Sequence, residues 1–308
     1  MEKNEFKRFM EHIVREFESE DRHSSAHVYQ CAGKSFFTFI RTKRIQDFRL
    51  GTILLKRYED YLLEKQLSWN TISTYMRMLR ATYNRAVQRG VMKYIPGLFK
   101  GVYTGVQSPT KRALPPHVMA RLIDRENFRL FPNGEWFALM FLLRGIPFVD
   151  LAHLRKCDLN GGVITYHRHK TRKGLSVSIP SEAMEIIRRK MDNTSSPYLF
   201  PILNGTASGK EAYKNYQSAL RKFNRCLSMI AKKMELNVKL SSYVARHTWA
   251  TTAYHQKMPV GIISGALGHS SIKVTEAYLK PFDNNELGEA NLRIISYIKE
   301  RSEAAVTL

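Results

Sequence analysis

The stretch "LGHSSIKVTEAYLK", residues 267–280, sets His269 and Tyr278 nine positions apart on two neighbouring segments of helical pattern. Upstream, "SSYVARHTWAT" carries Arg246 at a helix start, and "HRHKT" carries Lys170 at the end of a strand-like run. Together these are parts for phosphoryl transfer. A phosphodiester breaks without a metal ion if cationic forks neutralise the charge growing on its non-bridging oxygens and a proton donor protects the leaving oxygen. A tyrosine can then attack and hold the phosphate covalently, which keeps the bond energy for rejoining. With an ordinary pKa of about 10, that tyrosine needs a positive surround to ionise cheaply. The N–H groups of the helix start before Arg246 favour a phosphate as well.

The bulk charge agrees with an anionic substrate. Among 308 residues, 49 are Lys or Arg and 27 are Asp or Glu, a formal net charge of +22. Such a chain repels itself unless a polyanion neutralises it, so nucleic acid is the first partner to expect. Residues 1–105 hold 19 basic and 11 acidic side chains and the remainder 30 and 16, so neither half carries the excess alone. That suits two modules that both touch a phosphate backbone. No run of 18 apolar residues argues for a membrane span, and "MEKNEFKRFMEH" does not read as a signal peptide. The three cysteines, Cys31, Cys157 and Cys226, lack metal-ligand spacing and read as small buried hydrophobes in a reducing cytoplasm. Phosphate-binding glycine loops and metal-ligand clusters are absent from the pattern, so neither cofactor nor metal is expected.

The elements that must position these residues follow from periodicity. Residues 1–100 read as a helical bundle: Phe6, Phe9, Met10, Ile13, Val14 and Phe17 recur at helical spacing, and Ser24 and Ser25 can cap a second helix. In "SWNTISTYMRMLRATYNRAVQRG", Ile72, Tyr75, Leu79, Tyr83, Ala86 and Val87 form one stripe, leaving Arg77, Arg80 and Asn84 on the other side to grip a duplex. Residues 101–112, rich in Gly, Pro and Ser and without a period, read as a linker. From residue 113 to 308 the pattern is mixed. "GVITYHRHKTRKGLSVSIP" alternates on either side of Lys173-Gly174 as a hairpin does, and long helices follow. The fold class is mainly α with a small β component.

The order Lys170, Arg246, His269, Tyr278 resembles the catalytic string of the tyrosine recombinase (phage integrase) family. "LGHSSIKVTEAYLK" is similar to that family's Leu-Gly-His…Tyr box, and "LSWNTISTYMRMLRATYNRA" to its helical, SAM-like core-binding domain. The resemblance implies a core-binding domain plus a mixed α/β catalytic domain, clamped around double-stranded DNA. It implies Tyr278 as the nucleophile forming a 3′-phosphotyrosine, Arg246 on a non-bridging oxygen, His269 donating to the scissile phosphate and Lys170 as general acid. Asp150 would orient the site residues, with Arg172 and Lys173 contacting DNA from the hairpin. Four protomers, monomeric when free, would exchange strands pairwise, and a helix with Leu287, Ala290, Ile294, Ile295 and Ile298 on one face would dock on a neighbour. Because the chain opens directly in the core-binding pattern, a simple invertase or resolvase is expected ahead of an integrase or transposase. A catalytically impaired DNA-binding protein of the same fold and a type IB-like topoisomerase are the other readings.

Two positions depart from the family pattern. The His of its His-x-x-Arg box is Tyr243, a phenol suited to positioning more than to proton transfer. The first arginine falls, by register with Asp150, on Pro147, a substitution that resembles recombinases of Bacteroidetes elements. One guanidinium cannot fork to two non-bridging oxygens well, so a substitute is needed. Arg144, in the turn that Gly145 and Pro147 create, is the expected one, and Arg155 the second.

Overall fold

The structure is a computed structural model, and it describes residues 3–46, 48–107, 112–124, 133–279, 288–289 and 291–296. The chain divides into two units: Met1–Pro109 with Ala207–Asn215, and Thr110–Thr206 with Tyr216–Leu308.

The first unit is helical: α1 Lys3–Ser19, α2 His23–Thr42, α3 Thr52–Glu64 and α4 Trp69–Gln88. Phe6, Met10, Ile13 and Phe17 of α1 are buried against Phe36, Phe39 and Ile40 of α2 and Ile72, Met76 and Leu79 of α4. The helical stripes thus close one apolar core. Ser24 and Ser25 do not cap α2: the helix starts at His23, with Arg22 as its N-cap. Ser68 caps α4, its hydroxyl accepting from the Thr71 N–H at 3.3 Å. Residues 98–107 are tied to this unit. Leu98, Phe99 and Val102 join its core, Ser73 Oγ donates to the Gly105 carbonyl at 2.5 Å, and the side-chain amide of Asn70 exchanges two hydrogen bonds with the backbone of Gln107.

The second unit holds α5 Pro116–Ile123, α6 Gly134–Leu142, α7 Phe148–His153, a 3₁₀ turn at Lys156–Asp158, α8 Ser181–Lys190, the part of α9 Gly209–Lys233 that follows Asn215, α10 Ser242–His255, α11 Val260–Leu267 and α12 Ile272–Glu276. Three antiparallel strands, β1 Leu159–Asn160, β2 Val163–His167 and β3 Gly174–Ser178, form one sheet in that order. Leu139, Leu151, Ile164, Ile187, Phe200, Leu227 and Ala245 share one core. The hairpin is wider than Lys173-Gly174 implied. His167 pairs with Gly174, and a six-residue loop, Arg168–Lys173, closes it through Arg168 N–H to the Lys173 carbonyl at 2.9 Å. Burial alternates along β2 with Ile164 and Tyr166 inward, and Arg168 continues that parity at 7% exposure.

Cys31 and Cys226 are half-buried and Cys157 is exposed, so Cys157 is not the buried hydrophobe expected of it. Among the described residues no helix is long and apolar enough to cross a membrane, and no cluster of three metal-ligating side chains occurs. Residues 291–296 are helical with Ile294 and Ile295 exposed, whereas Leu287, Ala290 and Ile298 lie outside the described residues.

Candidate active site

Helix α10 is the spine of the site. Tyr243, Arg246 and His247 stand at i, i+3 and i+4, the spacing that puts side chains on one helical face. Tyr278 lies across that face. Its ring centroid is 4.6 Å from that of His247, 4.9 Å from that of His269 and 6.5 Å from that of Tyr243. The Arg246 guanidinium carbon is 5.6 Å from the Tyr278 ring centre. Thr251, one turn beyond His247, donates to the Tyr278 carbonyl at 3.2 Å, and the ring packs on the small core of Ala250, Ala253, Ile263 and Leu267. The four residues that sequence spacing scattered over 243–278 therefore meet at one place. The helix start contributes less than expected, because the Ser242 N–H already donates to Asn224 Oδ1 at 2.8 Å.

Arg246 is 3% exposed and fixed by carbonyls: Nη1 donates to Gly145 O at 2.9 Å and Nη2 to Leu267 O at 2.5 Å. The backbone must come very close for this. Arg144 and Gly145 both adopt positive φ, and a Cβ at Gly145 would stand 3.0 Å from Arg246 Cα, so only glycine fits. Burial, then the neighbouring Arg168 charge, hold Arg246 below the usual guanidinium range. Fixed donors of this kind reorganise little when a charge arrives, which is what an anion site requires.

His269 faces Arg246 through Nε2, at 2.9 Å from Nη2, and Thr275 Oγ1 through Nδ1, at 2.8 Å. A guanidinium only donates, so Nε2 is the acceptor, and the ring proton sits on Nδ1 and is donated to Thr275. Burial first, then Arg246, Arg168, Lys173 and Lys170, push the imidazole down to about 3. With no DNA bound, Nε2 therefore has no proton to give. Tyr243 as a residue is exposed, but its hydroxyl end is crowded. That desolvation, followed by the Tyr278 phenol, raises it above the usual tyrosine range.

The hairpin loop completes the site. Lys173 Nζ donates to the His269 carbonyl at 3.3 Å, while Lys170 and Arg172 are exposed, Lys170 within electrostatic reach of His269. Asp150, 3% exposed on α7, accepts the His169 N–H at 2.8 Å through Oδ1. Its Oδ2 lies 2.6 Å from Arg168 Nε, an ion pair set off the straight hydrogen-bond line. Arg168 Nη1 in turn donates to Leu267 O, the carbonyl that Arg246 also uses. Gly268, the left-handed cap of α11, makes room for this: a Cβ there would meet Leu175 Cδ1 at 2.9 Å and Arg168 Cγ at 3.2 Å. Arg168, His247 and Thr275 escaped the sequence reading. Helical spacing could have found His247, and strand parity could have found Arg168.

Arg144 directly precedes Gly145 and turns its Nη1 to the Ser176 carbonyl on β3, at 3.5 Å. Arg155 is exposed and takes part in a bridge to Tyr198. In the first unit, Arg77, Arg80 and Asn84 are exposed on α4, and Arg80 Nη1 reaches Thr104 Oγ1 at 3.4 Å.

Two family models match the chain: the phage integrase SAM-like domain over residues 5–98 and the phage integrase family over residues 138–285. The chain is 23% identical over 248 residues to tyrosine recombinase XerA of Thermococcus kodakarensis, which spans 75% of this chain and 83% of that one. To XerA of Pyrococcus furiosus it is 26% identical over 142 residues, 44% of this chain and 46% of that one. Two solved structures share the fold. The Tn1549 transposon integrase in complex with a circular intermediate DNA covers 94% of this chain and 99% of its own, at TM-score 0.63 and 17% identity. XerH bound to a palindromic difH substrate, a post-cleavage complex, covers 87% and 79% at TM-score 0.65 and 17% identity. With a SAM-like module matched in the helical unit and the integrase model spanning α10, the Leu-Gly-His box and Tyr278, the chain belongs to the phage integrase family of tyrosine recombinases, enzymes that cut and rejoin DNA strands.

Proposed function

We propose that this chain is a site-specific recombinase in which Tyr278 attacks a scissile phosphate of double-stranded DNA. The phenol oxygen forms the new O–P bond and gives up its proton to solvent, the P–O5′ bond breaks, and Lys170 supplies the proton that the 5′-oxygen needs. A 3′-phosphotyrosine remains, and the reverse sequence with a different 5′-hydroxyl completes the exchange. Arg246 holds a non-bridging oxygen, His269 shares that role once the phosphate supplies a counter-charge, Tyr243 positions Tyr278, and Asp150 braces the hairpin that carries Lys170. Arg77, Arg80 and Asn84, with Arg172 and Lys173, grip the duplex. The observation that carries this reading is the packing of the Tyr278 ring against His269 and the carbonyl-fixed Arg246.

The reaction we infer is inversion or resolution between two short sites, carried out by four copies assembled on DNA, one domain of residues 1–100 and one of 113–308 in each. Incubation with nicked random-sequence duplexes, recovery of covalent adducts and sequencing of the trapped DNA tests the reading. Wild-type protein is expected to enrich one sequence, and Tyr278→Phe to bind that duplex while forming no adduct. An adduct from Tyr278→Phe moves the nucleophile elsewhere, first to Tyr243. Binding without any wild-type adduct selects the impaired DNA-binding reading, and adducts without sequence preference select a topoisomerase. Plasmids carrying the selected site in inverted or direct repeat then separate inversion and resolution from intermolecular integration.

A further inference from the structure

We propose that Arg168, on the hairpin loop, is the second phosphate-binding guanidinium of this site and occupies functionally the place left by Pro147. The inference rests on the recombinase reading above. Arg168 and Arg246 donate to the same carbonyl, Leu267 O, so two guanidinium groups stand side by side at 7% and 3% exposure. A purely structural ion pair with Asp150 gains nothing from that neighbour, since two buried like charges repel in a medium that screens them poorly. Among the described residues, Asp150 is the single buried carboxylate partnering either arginine, so one negative charge there offsets two fixed cations, with Lys173 beside them on His269 O. The excess is positive and preformed. A phosphodiester monoanion is the ligand of matching charge, and two adjacent forks suit its two non-bridging oxygens.

The donors of Arg168 allow it. A guanidinium carries five N–H donors. Arg168 points Nε at Asp150 and one Nη1 hydrogen at Leu267 O, leaving the rest of its fork for a ligand. The group also lies against the peptide that leads into His269: a Cβ on Gly268 would be 3.4 Å from Arg168 Nη1. Arg168 adds to the field that lowers His269 and Arg246, so its charge is felt at both residues already assigned to the phosphate. The Arg144 guanidinium is directed instead to the Ser176 carbonyl of β3, at 3.5 Å.

The test uses the duplex selected by covalent trapping, made with either an ordinary scissile phosphate or a methylphosphonate, in which one charged non-bridging oxygen becomes a methyl group. Single-turnover adduct formation is measured for wild-type, Arg168→Ala and Arg168→Lys proteins. Arg168→Ala is expected to be about a hundredfold slower on the phosphate, the usual cost of one such donor. On the methylphosphonate the gap from wild type is expected to shrink to less than tenfold, because the neutral centre needs one cation fewer. Arg168→Lys keeps a charge opposite Asp150 without the fork, and is expected to show a smaller loss on phosphate with the same narrowing. If Arg168→Ala does not fold, the lysine variant alone decides by the same ratio. Equal losses on the two substrates, or no loss on phosphate, overturn the proposal. Failure of wild-type protein to form any adduct overturns the recombinase reading instead, and this inference with it.

Discussion

Glu59 in the helical unit and Asp150 in the second unit are built alike and work in opposite ways. Each is a carboxylate sealed from solvent that accepts one backbone N–H, from Tyr103 at 2.6 Å and from His169 at 2.8 Å. Each also faces one cation, Lys56 and Arg168. Lys56 reaches in from the surface with a 54% exposed side chain, so its ammonium keeps water and the pair is neutral. The result is a clasp that ties residues 98–107 down onto α3. Arg168 is buried next to Arg246, so Asp150 cannot neutralise its surroundings. A buried ion pair thus closes a fold where the cation reaches water, and primes a binding site where the cation is crowded by another.

Removing each carboxylate's charge tests that contrast. Asp150→Asn leaves two buried guanidiniums with no counter-charge, and is expected to lower unfolding stability by about 3–5 kcal/mol in denaturant titration. Cleavage by the protein that remains folded should fall about a hundredfold, since both the hairpin and Arg168 lose their brace. A loss no larger than that of the Glu59 variant would break the comparison. Glu59→Gln leaves no cation stranded, because Lys56 is exposed, and should cost about 1–3 kcal/mol, the range for a weakened buried hydrogen-bonded group. Its cleavage rate on bound DNA should match wild type, which a single-turnover assay checks.

The gentlest effect is that of pH on the protein without DNA. His269 is neutral when folded and held to about 3, below its unfolded value of about 6.5. The unfolded chain therefore takes up a proton first, so the histidine's contribution is complete above about pH 6.5 and declines as pH falls towards 3. His169, lowered by burial and by His153, adds to the same slope. Melting temperature should drop steadily from pH 7 to pH 4, and His269→Gln should flatten part of that drop. The Glu59 clasp contributes no histidine, so a drop of the same size in a Glu59→Gln protein as in wild type would sharpen the assignment to the second unit.

What sequence could supply differed between these regions for a physical reason. The helical core was readable because Phe6, Met10, Ile13 and Phe17 obey a local period, and local period is what decides burial on a helix. Tyr243, Arg246 and His247 share a face by the same rule. The hairpin loop was not readable, because its length depends on where pairing stops, and His167–Gly174 is the last pair. "HRHKT" looks like a solvated basic run, and only the inward parity of Ile164 and Tyr166 marks Arg168 as different. The carbonyls that fix Arg246 belong to residues 101 and 21 positions away in the chain, and no local pattern announces a pairing of that range. Arg144 is the natural substitute by nearness to Pro147 in sequence, whereas the guanidinium that shares the Leu267 carbonyl with Arg246 arrives from another element.

The two glycines behind the guanidiniums also bear on how such an enzyme can change over generations. Gly145 and Gly268 hold φ of +69° and +67°, and each would set a Cβ within 3.0 Å of a neighbouring heavy atom, Arg246 Cα in one case and Leu175 Cδ1 in the other. Any inherited replacement there meets backbone strain, and at Gly145 it also meets the backbone of Arg246. Arg172 and the exposed face of α4 carry no such restriction. Drift towards a new DNA target can proceed through those exposed positions one residue at a time, while the phosphate pocket is inherited whole or lost.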